Sequence, residues 1–319
     1  MRSLELASEA PALLSLIRLL YGTHEHDVYE YAGLRFANRI GLAAGLDKDA
    51  RAVPAFSALG FGFLELGTVT AHAQAANPSP NMFRLPADKA IINRLGFPNA
   101  GAEALAAKLR ALPPRTAPIA VSIGKSRVVD ASDLQAVSDD YAASTRAVSE
   151  VADFLVINVS SPNTVGLRSL QHQDAARTVF GAVMHANLYA RPVLVKLAPD
   201  LSDEDAANTL ELAVREGLSG AVVSNTTLRR DTLETPAGDV ARMGAGGLSG
   251  PTLFPRTLAR VALARQVLGS GSCLIGVGGV SSAEQVAQLR AAGADLVQVY
   301  TALIYEGPAL IRRLASALT

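Results

Sequence analysis

The sequence has very little cysteine and no tryptophan. Among its 319 residues the one cysteine is Cys273, which lies in an apolar run. A single cysteine cannot form an internal disulfide, so a disulfide-stabilised extracellular scaffold is excluded and a reducing cytosol is indicated. We expect the Cys273 thiol to be a small buried side chain.

Excess charge of one sign and long apolar runs are also missing. Basic and acidic residues number 29 each, so no wide basic surface is available to neutralise nucleic-acid phosphates. No apolar run reaches the ~18 to 20 residues of a membrane-spanning helix, and the N-terminus does not read as a signal peptide. We therefore expect a cytoplasmic protein that binds no nucleic acid.

The apolar segment 10–20 could pack on the main domain, cover a hydrophobic tunnel or lie on a bilayer surface.

Motifs of two common hydrolase classes are absent. No helix-spaced pair of histidines occurs with a carboxylate, so we expect no metal site, and no G-x-S-x-G nucleophile motif is present. His24 and His26 flank Glu25 in what reads as a solvated loop. The five histidines are His24, His26, His72, His172 and His185.

Eight short runs rich in β-branched residues predict the fold. They are apolar throughout more than alternating, which is typical of parallel strands buried on both faces. Helix-like segments such as 101–110, 202–215 and 282–292 lie between them. Eight such units in about 280 residues match a (β/α)8 TIM barrel, in which the loops after the strands converge on the active site. The runs are 39–43, 61–66, 119–123, 154–157, 193–197, 220–224, 274–277 and 296–299.

An open doubly wound sheet is the competing architecture. The turn after the first run, residues 43–48, lacks the G-x-G-x-x-G spacing of a dinucleotide fold. Two long insertions, 71–99 and 229–250, interrupt the barrel pattern, and we expect them to close over the site. The predicted organisation is a short N-terminal helical segment, 1–32, followed by the barrel domain, 33–319.

Polar residues stand at or near the ends of the predicted strands. Lys196 lies inside an otherwise apolar strand, where its ammonium requires a negative partner such as a bound anion or an electron-rich ring. Glycine-rich turns at 244–250 and 276–279, together with Tyr300 and Thr301, fit the phosphate site common in this fold. The pattern favours a phosphate-bearing cofactor.

Together these motifs resemble the dihydroorotate dehydrogenases of the quinone-linked class (class 2). The most specific stretch, 158–164, reads Asn-Val-Ser-Ser-Pro-Asn-Thr. The resemblance implies a TIM barrel that holds FMN, oxidises dihydroorotate to orotate in pyrimidine biosynthesis and passes electrons to a quinone. The other matching stretches are 44–48, 93–97, 166–168, Lys196 with 198–200, 225–227, 247–250 and 278–279.

The resemblance also implies residue roles. Ser161 would be the base that removes the C5 proton while a hydride leaves C6 for the flavin, and serine in place of cysteine assigns the quinone class. Its proton would pass on through a water and a hydroxyl such as that of Thr226. Lys196 would stabilise the reduced flavin ring. The substrate would contact Lys48, Asn93, Arg94, Leu95, Gly96, Phe97, Asn158, Asn163, Asn225 and Thr226. The flavin would contact Ala44, Gly45, Leu46, Asp47, Lys48, Thr68, Ser122, Asn158, Lys196, Ser224, Gly250, Gly279, Tyr300 and Thr301.

The chain departs from the family pattern at two places. Ser122 stands where the family usually has asparagine, which predicts weaker ligand binding there. Only about 32 residues precede Gly33, room for one helix from Ser8 to Leu20 where the family usually has two, so the quinone tunnel would be reduced or translation would start upstream. Through this helix we expect peripheral contact with the cytoplasmic side of the membrane. The alternatives are a soluble cytoplasmic enzyme with a soluble electron acceptor, and a flavin-binding homologue without turnover.

Overall fold

The fold is that of a computed structural model, which describes residues 1–23, 25, 27–115, 117–164, 166–171 and 173–316. The predicted loop histidines His24 and His26, and also His172, lie outside the described residues.

Eight parallel strands form a closed barrel. Strands that follow one another in the barrel pattern pair side by side, and the last strand closes onto the first, with Val297 opposite Ile40. The predicted TIM barrel is confirmed, and each strand lies within a few residues of its predicted position. In chain order the barrel strands are Ile40–Leu42, Phe63–Val69, Ile119–Ile123, Phe154–Asn158, Val193–Leu197, Gly220–Val223, Cys273–Val277 and Leu296–Val299.

Helices separate the strands, as predicted. Ser202 caps its helix by accepting a hydrogen bond from the N–H of Asp205, and Ser282 forms a reciprocal capping box with Gln285. These caps explain why the predicted helix starts agree with the structure. The helices around the barrel are Val53–Ala58, Ala102–Ala111, Leu134–Val148, Gln173–Ala186, Asp203–Arg215, Phe254–Leu268, Ala283–Ala291, Thr301–Glu306 and Ala309–Ser316, with 3₁₀ turns at Leu167–Gln171 and Pro251–Leu253.

Side chains along the barrel strands alternate between two cores. Leu64 and Val195 belong to the large core between strands and helices. Phe63 and Leu194, one residue earlier in each strand, belong to a separate inner core. Above that inner core the next inward positions are polar, so the strands are not apolar throughout as the sequence suggested. This buried polar level consists of Glu65, Ser122, Asn158, Lys196, Ser224 and Gln298.

A short antiparallel hairpin, Tyr29–Tyr31 with Leu34–Phe36, closes the base of the barrel. The hydroxyl of Tyr31 donates to the carbonyl of Ser219 at 2.6 Å. Phe36 meets Phe63 edge-on, with ring centroids 5.6 Å apart. Because apolar rings fill this end, a ligand can enter the barrel only from the opposite end.

The two long insertions pair with each other in a three-stranded antiparallel sheet, here called the cap sheet. Its strands are Met82–Leu85, Ala90–Asn93 and Gly247–Ser249. The second insertion also carries the helix Ala237–Met243. Residues of both insertions line the cavity described below, which confirms that they close over it.

The N-terminal segment contains two helices, Arg2–Ser8 and Pro11–Tyr21, so the prediction of one helix from Ser8 to Leu20 is wrong. Pro11 is the cause, because proline suits the first turn of a helix and cannot continue one from the preceding residues. Ser8 Oγ accepts a hydrogen bond from the N–H of Ala55 at 3.2 Å, so the first helix packs on the barrel. None of the helices in the described part of the chain has the length and apolar character needed to cross a bilayer.

Candidate active site

A cavity of about 280 Å³ opens at the carboxyl ends of the barrel strands. Most of the predicted site residues meet there although they come from seven of the eight strand–loop units; the unit of Ile119–Ile123 contributes none of the lining. Those that line the cavity are Ala44, Gly45, Lys48, Thr68, Asn93, Leu95, Gly96, Phe97, Asn158, Ser161, Asn163, Lys196, Ser224, Asn225, Thr226, Gly250, Gly279, Tyr300 and Thr301.

Leu46 and Asp47, which the resemblance assigned to the flavin, are not in the cavity lining. Leu46 packs against the large core. The carboxylate of Asp47 accepts the N–H groups of Arg51 and Ala52, each at 2.8 Å, and so holds the turn that leads into the next helix. Burial raises the pKa of Asp47, and these two hydrogen bonds oppose that rise.

Arg94 and Ser122 also lie outside the lining. Arg94 donates to the carbonyl of Ala245 at 2.8 Å, and its guanidinium carbon is 4.8 Å from the centre of the Phe83 ring, so it ties the two insertions together. The hydroxyl of Ser122 is 2.9 Å from that of Thr68, which does line the cavity. In this structure both side chains contact other residues of the protein and not the cavity itself.

Ser161 is 5% exposed at the cavity wall. Its Oγ accepts a hydrogen bond from the N–H of Asn163 at 3.2 Å. The side-chain amide of Asn163 in turn donates to Asn93 Oδ1 at 3.2 Å, which links the serine loop to the cap sheet. Thr226 Oγ1 is buried and has no hydrogen-bond partner among the described residues, which leaves an unsatisfied hydroxyl at the same cavity.

Two cavity amides are joined by Ser160. Asn225 Nδ2 donates to Ser160 Oγ at 2.9 Å, and Ser160 Oγ donates to Asn158 Oδ1 at 2.9 Å. Asn158 Nδ2 continues the chain to Thr68 Oγ1 at 2.8 Å. This network fixes which atom of each amide faces the cavity, which prediction from the sequence had not addressed.

The ammonium of Lys48 donates to the carbonyl of Gly45 at 2.6 Å. Burial lowers the pKa of Lys48, and the nearby carboxylates of Asp49 and Asp47 counteract part of that effect. A cation that has lost much of its water at a cavity wall favours an anionic ligand group.

The partner of Lys196 is Glu65, a residue that prediction from the sequence missed. Lys196 Nζ lies 3.2 Å from Glu65 Oε1, so the expected bound anion or ring is not needed to balance the ammonium. Gln298, also missed, donates from Nε2 to Glu65 Oε2 at 2.6 Å. The available signal was alternation, since Glu65 and Gln298 each come two residues after an inward apolar residue of the same strand.

The glycine-rich turns approach the cavity closely. At Gly279, where φ is +78°, an added Cβ would lie 2.6 Å from the backbone nitrogen of Phe254, at the start of a helix. At Gly250, where φ is +132°, an added Cβ would meet Ala90 of the cap sheet at 2.8 Å. Only glycine fits either position without strain, and both glycines line the cavity, as does Thr301.

A model of the dihydroorotate dehydrogenase family matches residues 28–319 of this chain. The chain belongs to this family. A quinone-dependent dihydroorotate dehydrogenase of Corynebacterium efficiens is 52% identical over 283 residues, which cover 89% of this chain and 74% of the relative. One from Clavibacter michiganensis is 47% identical and covers 98% of this chain and 92% of its own.

A solved structure of the same family agrees. The ligand-free dihydroorotate dehydrogenase of Eimeria tenella superposes with a TM-score of 0.86 at 33% identity, over 98% of this chain and 93% of that one. The resemblance recognised in the sequence, including its quinone-linked class, is confirmed.

Dihydroorotate dehydrogenases are in general flavin-dependent. The residues present fit such a group, because the cavity combines close-approach glycines with unsatisfied buried polar atoms, Thr226 Oγ1 and Gln298 Oε1. Over the described ranges, histidine, cysteine and carboxylate side chains form no group of three or more that could hold a metal ion.

Proposed function

We propose that this protein oxidises dihydroorotate to orotate with FMN as its flavin and a quinone as the electron acceptor. Family membership and about 50% identity to quinone-dependent relatives support the reaction. The single observation that carries the proposal is the meeting of Ser161, Lys48 and several amides in one cavity.

The substrate is held by charge and by amides. Lys48 faces the carboxylate of dihydroorotate, for which a poorly solvated ammonium is suited. Asn93, Asn158, Asn163 and Asn225 match the carbonyl and N–H edges of the pyrimidine ring, because an amide both donates and accepts. The ring therefore binds in one orientation.

Ser161 removes the C5 proton of the substrate. A serine hydroxyl is a weak base at neutral pH, so it must release its own proton as it takes the new one, and the unsatisfied hydroxyl of Thr226 is an available relay group. The N–H of Asn163, which donates to Ser161 Oγ, stabilises the negative charge that develops on that oxygen. When bound, FMN supplies the acceptor for the hydride that leaves C6.

Two groups of cavity residues would hold FMN when it is bound. The backbone of Gly250 and Gly279, with Tyr300 and Thr301, holds the phosphate. Thr68, Lys196 and Ser224 contact the ring system. The ammonium of Lys196 is available there as a hydrogen-bond donor. Because Glu65 balances its charge, the Lys196–Glu65 pair carries little net positive charge.

The N-terminal helices provide the route for the quinone and contact the membrane peripherally on its cytoplasmic side. The second helix exposes Leu16, Leu19 and Leu20, with Leu19 78% exposed, which is an apolar surface suited to lipid. A soluble acceptor and a protein without turnover are the alternatives that the experiment must separate from this proposal.

Anaerobic reduction of the purified protein tests the function. We expect a yellow protein whose flavin absorbance is bleached by dihydroorotate and restored by a membrane-type quinone faster than by fumarate or NAD. A flavin that stays oxidised at saturating dihydroorotate would contradict the dehydrogenase proposal. Reoxidation by fumarate or NAD in preference to the quinone would support the soluble-acceptor alternative.

A further inference from the structure

Three buried polar side chains, Glu65, Lys196 and Gln298, form a cluster inside the barrel. Glu65 and Gln298 are 0% exposed and Lys196 is 5% exposed. Lys196 and Gln298 line the cavity, whereas Glu65 lies behind them. A buried ion pair is costly to desolvate and seldom adds stability by itself, so its place beside a ligand cavity calls for a functional explanation.

Glu65 fixes the orientation of the Gln298 side chain. The carboxylate of Glu65, paired with an ammonium, can only accept hydrogen bonds, so the amide atom 2.6 Å from its Oε2 must be the nitrogen Nε2. Rotating the amide by half a turn would bring two acceptors together. The carbonyl oxygen of Gln298 is therefore held in one direction.

That carbonyl oxygen is left without a partner. Gln298 Oε1 is buried and accepts no hydrogen bond from any described residue, although the side chain lines the cavity. Buried acceptors are almost always satisfied, so an N–H or O–H donor belongs at this point of the wall. The oxidised isoalloxazine ring has one N–H group, at N3 of its pyrimidine half, and that group lies between two carbonyls.

We propose that Glu65 holds Gln298 so that Oε1 accepts a hydrogen bond from N3–H of the flavin, while Lys196 donates to a neighbouring ring carbonyl. Glu65 is then a positioning residue, and Gln298 gives specificity for a flavin ring that carries an N–H donor at N3. This inference rests on the proposed function, because it requires a flavin in the cavity.

Binding of FMN and of 3-methyl-FMN to the wild-type apoprotein tests the inference without any variant. The methyl group removes the N3 donor and would leave Gln298 Oε1 buried and unpaired, so we expect FMN to bind about ten-fold more tightly or more. Quenching of flavin fluorescence measures both dissociation constants. Equal affinities would overturn this inference alone, whereas failure to bind either flavin would overturn the proposed function as well.

Variants then assign the effect to these side chains. Gln298→Met keeps the side-chain length but has no acceptor, so the preference for FMN should fall about ten-fold. Glu65→Gln should also reduce the preference, because a glutamine there can donate as well as accept and no longer fixes the Gln298 amide. An unchanged preference in Gln298→Met would overturn the inference.

Asp140→Asn is the matched control. Asp140 is a buried carboxylate that accepts from the N–H of Ser126 at 2.7 Å, but it does not line the cavity. The Asp140→Asn variant should prefer FMN to 3-methyl-FMN as strongly as the wild type does. Melting temperatures measured alongside show whether each variant is folded. If Glu65→Gln does not fold, the wild-type and Gln298→Met comparisons still decide the outcome.

Discussion

Arg168 and Asp200 join two loops beside the cavity, with Nη1 of Arg168 2.9 Å from Oδ2 of Asp200. The same guanidinium donates to the carbonyls of Ser160 and Thr226, each at 3.0 Å. Asp200 in turn accepts the N–H of Leu228 at 2.9 Å. The ion pair therefore fixes the loop that carries the proposed base relative to the loop that carries the proposed relay hydroxyl.

Arg168→Lys should slow flavin reduction by dihydroorotate about 10- to 100-fold, because lysine keeps the charge but cannot make the three directed contacts, and small displacements of a reacting group are costly. The FMN content should stay at the wild-type value. Anaerobic stopped-flow absorbance measures the rate. Arg110→Lys, which alters an exposed ion pair with Glu150, is the control and should leave the rate of flavin reduction unchanged. A normal rate in Arg168→Lys would rule out a positioning role.

Stability should depend on the ionisation of Asp200 in acid. Burial raises the pKa of Asp200, but hydrogen bonds from Thr227, the N–H of Leu228 and Arg168 outweigh it, so the pKa lies below its usual 3.8. A depressed pKa stabilises the fold above the unfolded-state value, and that stabilisation disappears as pH falls through the folded-state value. In urea unfolding, the wild type should be more stable than Asp200→Asn by a constant amount near neutral pH and by a shrinking amount below about pH 3.8. A difference that is independent of pH would contradict this assignment.

Ser161→Ala should keep FMN bound and slow the anaerobic bleaching of the flavin by about 10²- to 10⁴-fold, which is the usual contribution of a general base. Among the described residues the Ser161 hydroxyl takes part in one hydrogen bond, from the N–H of Asn163, so its removal should disturb the fold little. Stopped-flow reduction at saturating dihydroorotate measures the effect. An unchanged rate would show that another group is the base.

Gly279→Ala should destabilise the protein by about 2 kcal/mol or more and weaken FMN binding, because it places a Cβ against the backbone of Phe254 at positive φ. Gly181→Ala is the matched control. Gly181 lies in the helix Gln173–Ala186 and an added Cβ meets nothing within 4 Å, so stability should rise by up to about 1 kcal/mol. Thermal unfolding and flavin fluorescence titration test both variants, and equal behaviour of the two would refute the close-approach argument.

The double change Leu16→Gln and Leu19→Gln should weaken binding to phospholipid vesicles and slow reoxidation by a long-chain quinone. Flavin reduction by dihydroorotate should not change, because these exposed side chains are not among the residues that line the cavity. Leu188→Gln removes an equally exposed leucine elsewhere on the surface and serves as the control. Vesicle sedimentation that is the same for all three proteins would argue against membrane contact through this helix.

The barrel could be predicted from the sequence because each strand is a local apolar run. The cap sheet could not, because a strand as short as Gly247–Ser249 has no pattern of its own and forms only by pairing with residues more than a hundred positions earlier. Distance along the chain also explains why the partner of Lys196 was not predicted, since Glu65 is 131 positions away in the sequence. Family motifs located the cavity residues, but they did not reveal that Asp47 and Arg94 make structural contacts outside the cavity.

The cap sheet joins the two insertions through contacts between them. Leu248 of one insertion is opposite Ile92 of the other, and Asp88 accepts a hydrogen bond from the N–H of Glu234. One insertion therefore cannot hinge aside while the other stays in place. Any movement of the cap sheet away from the cavity would therefore shift residues of both insertions together. A change in one insertion that breaks the pairing of Leu248 with Ile92 would also disturb the other, so each segment depends on its partner for its own structure.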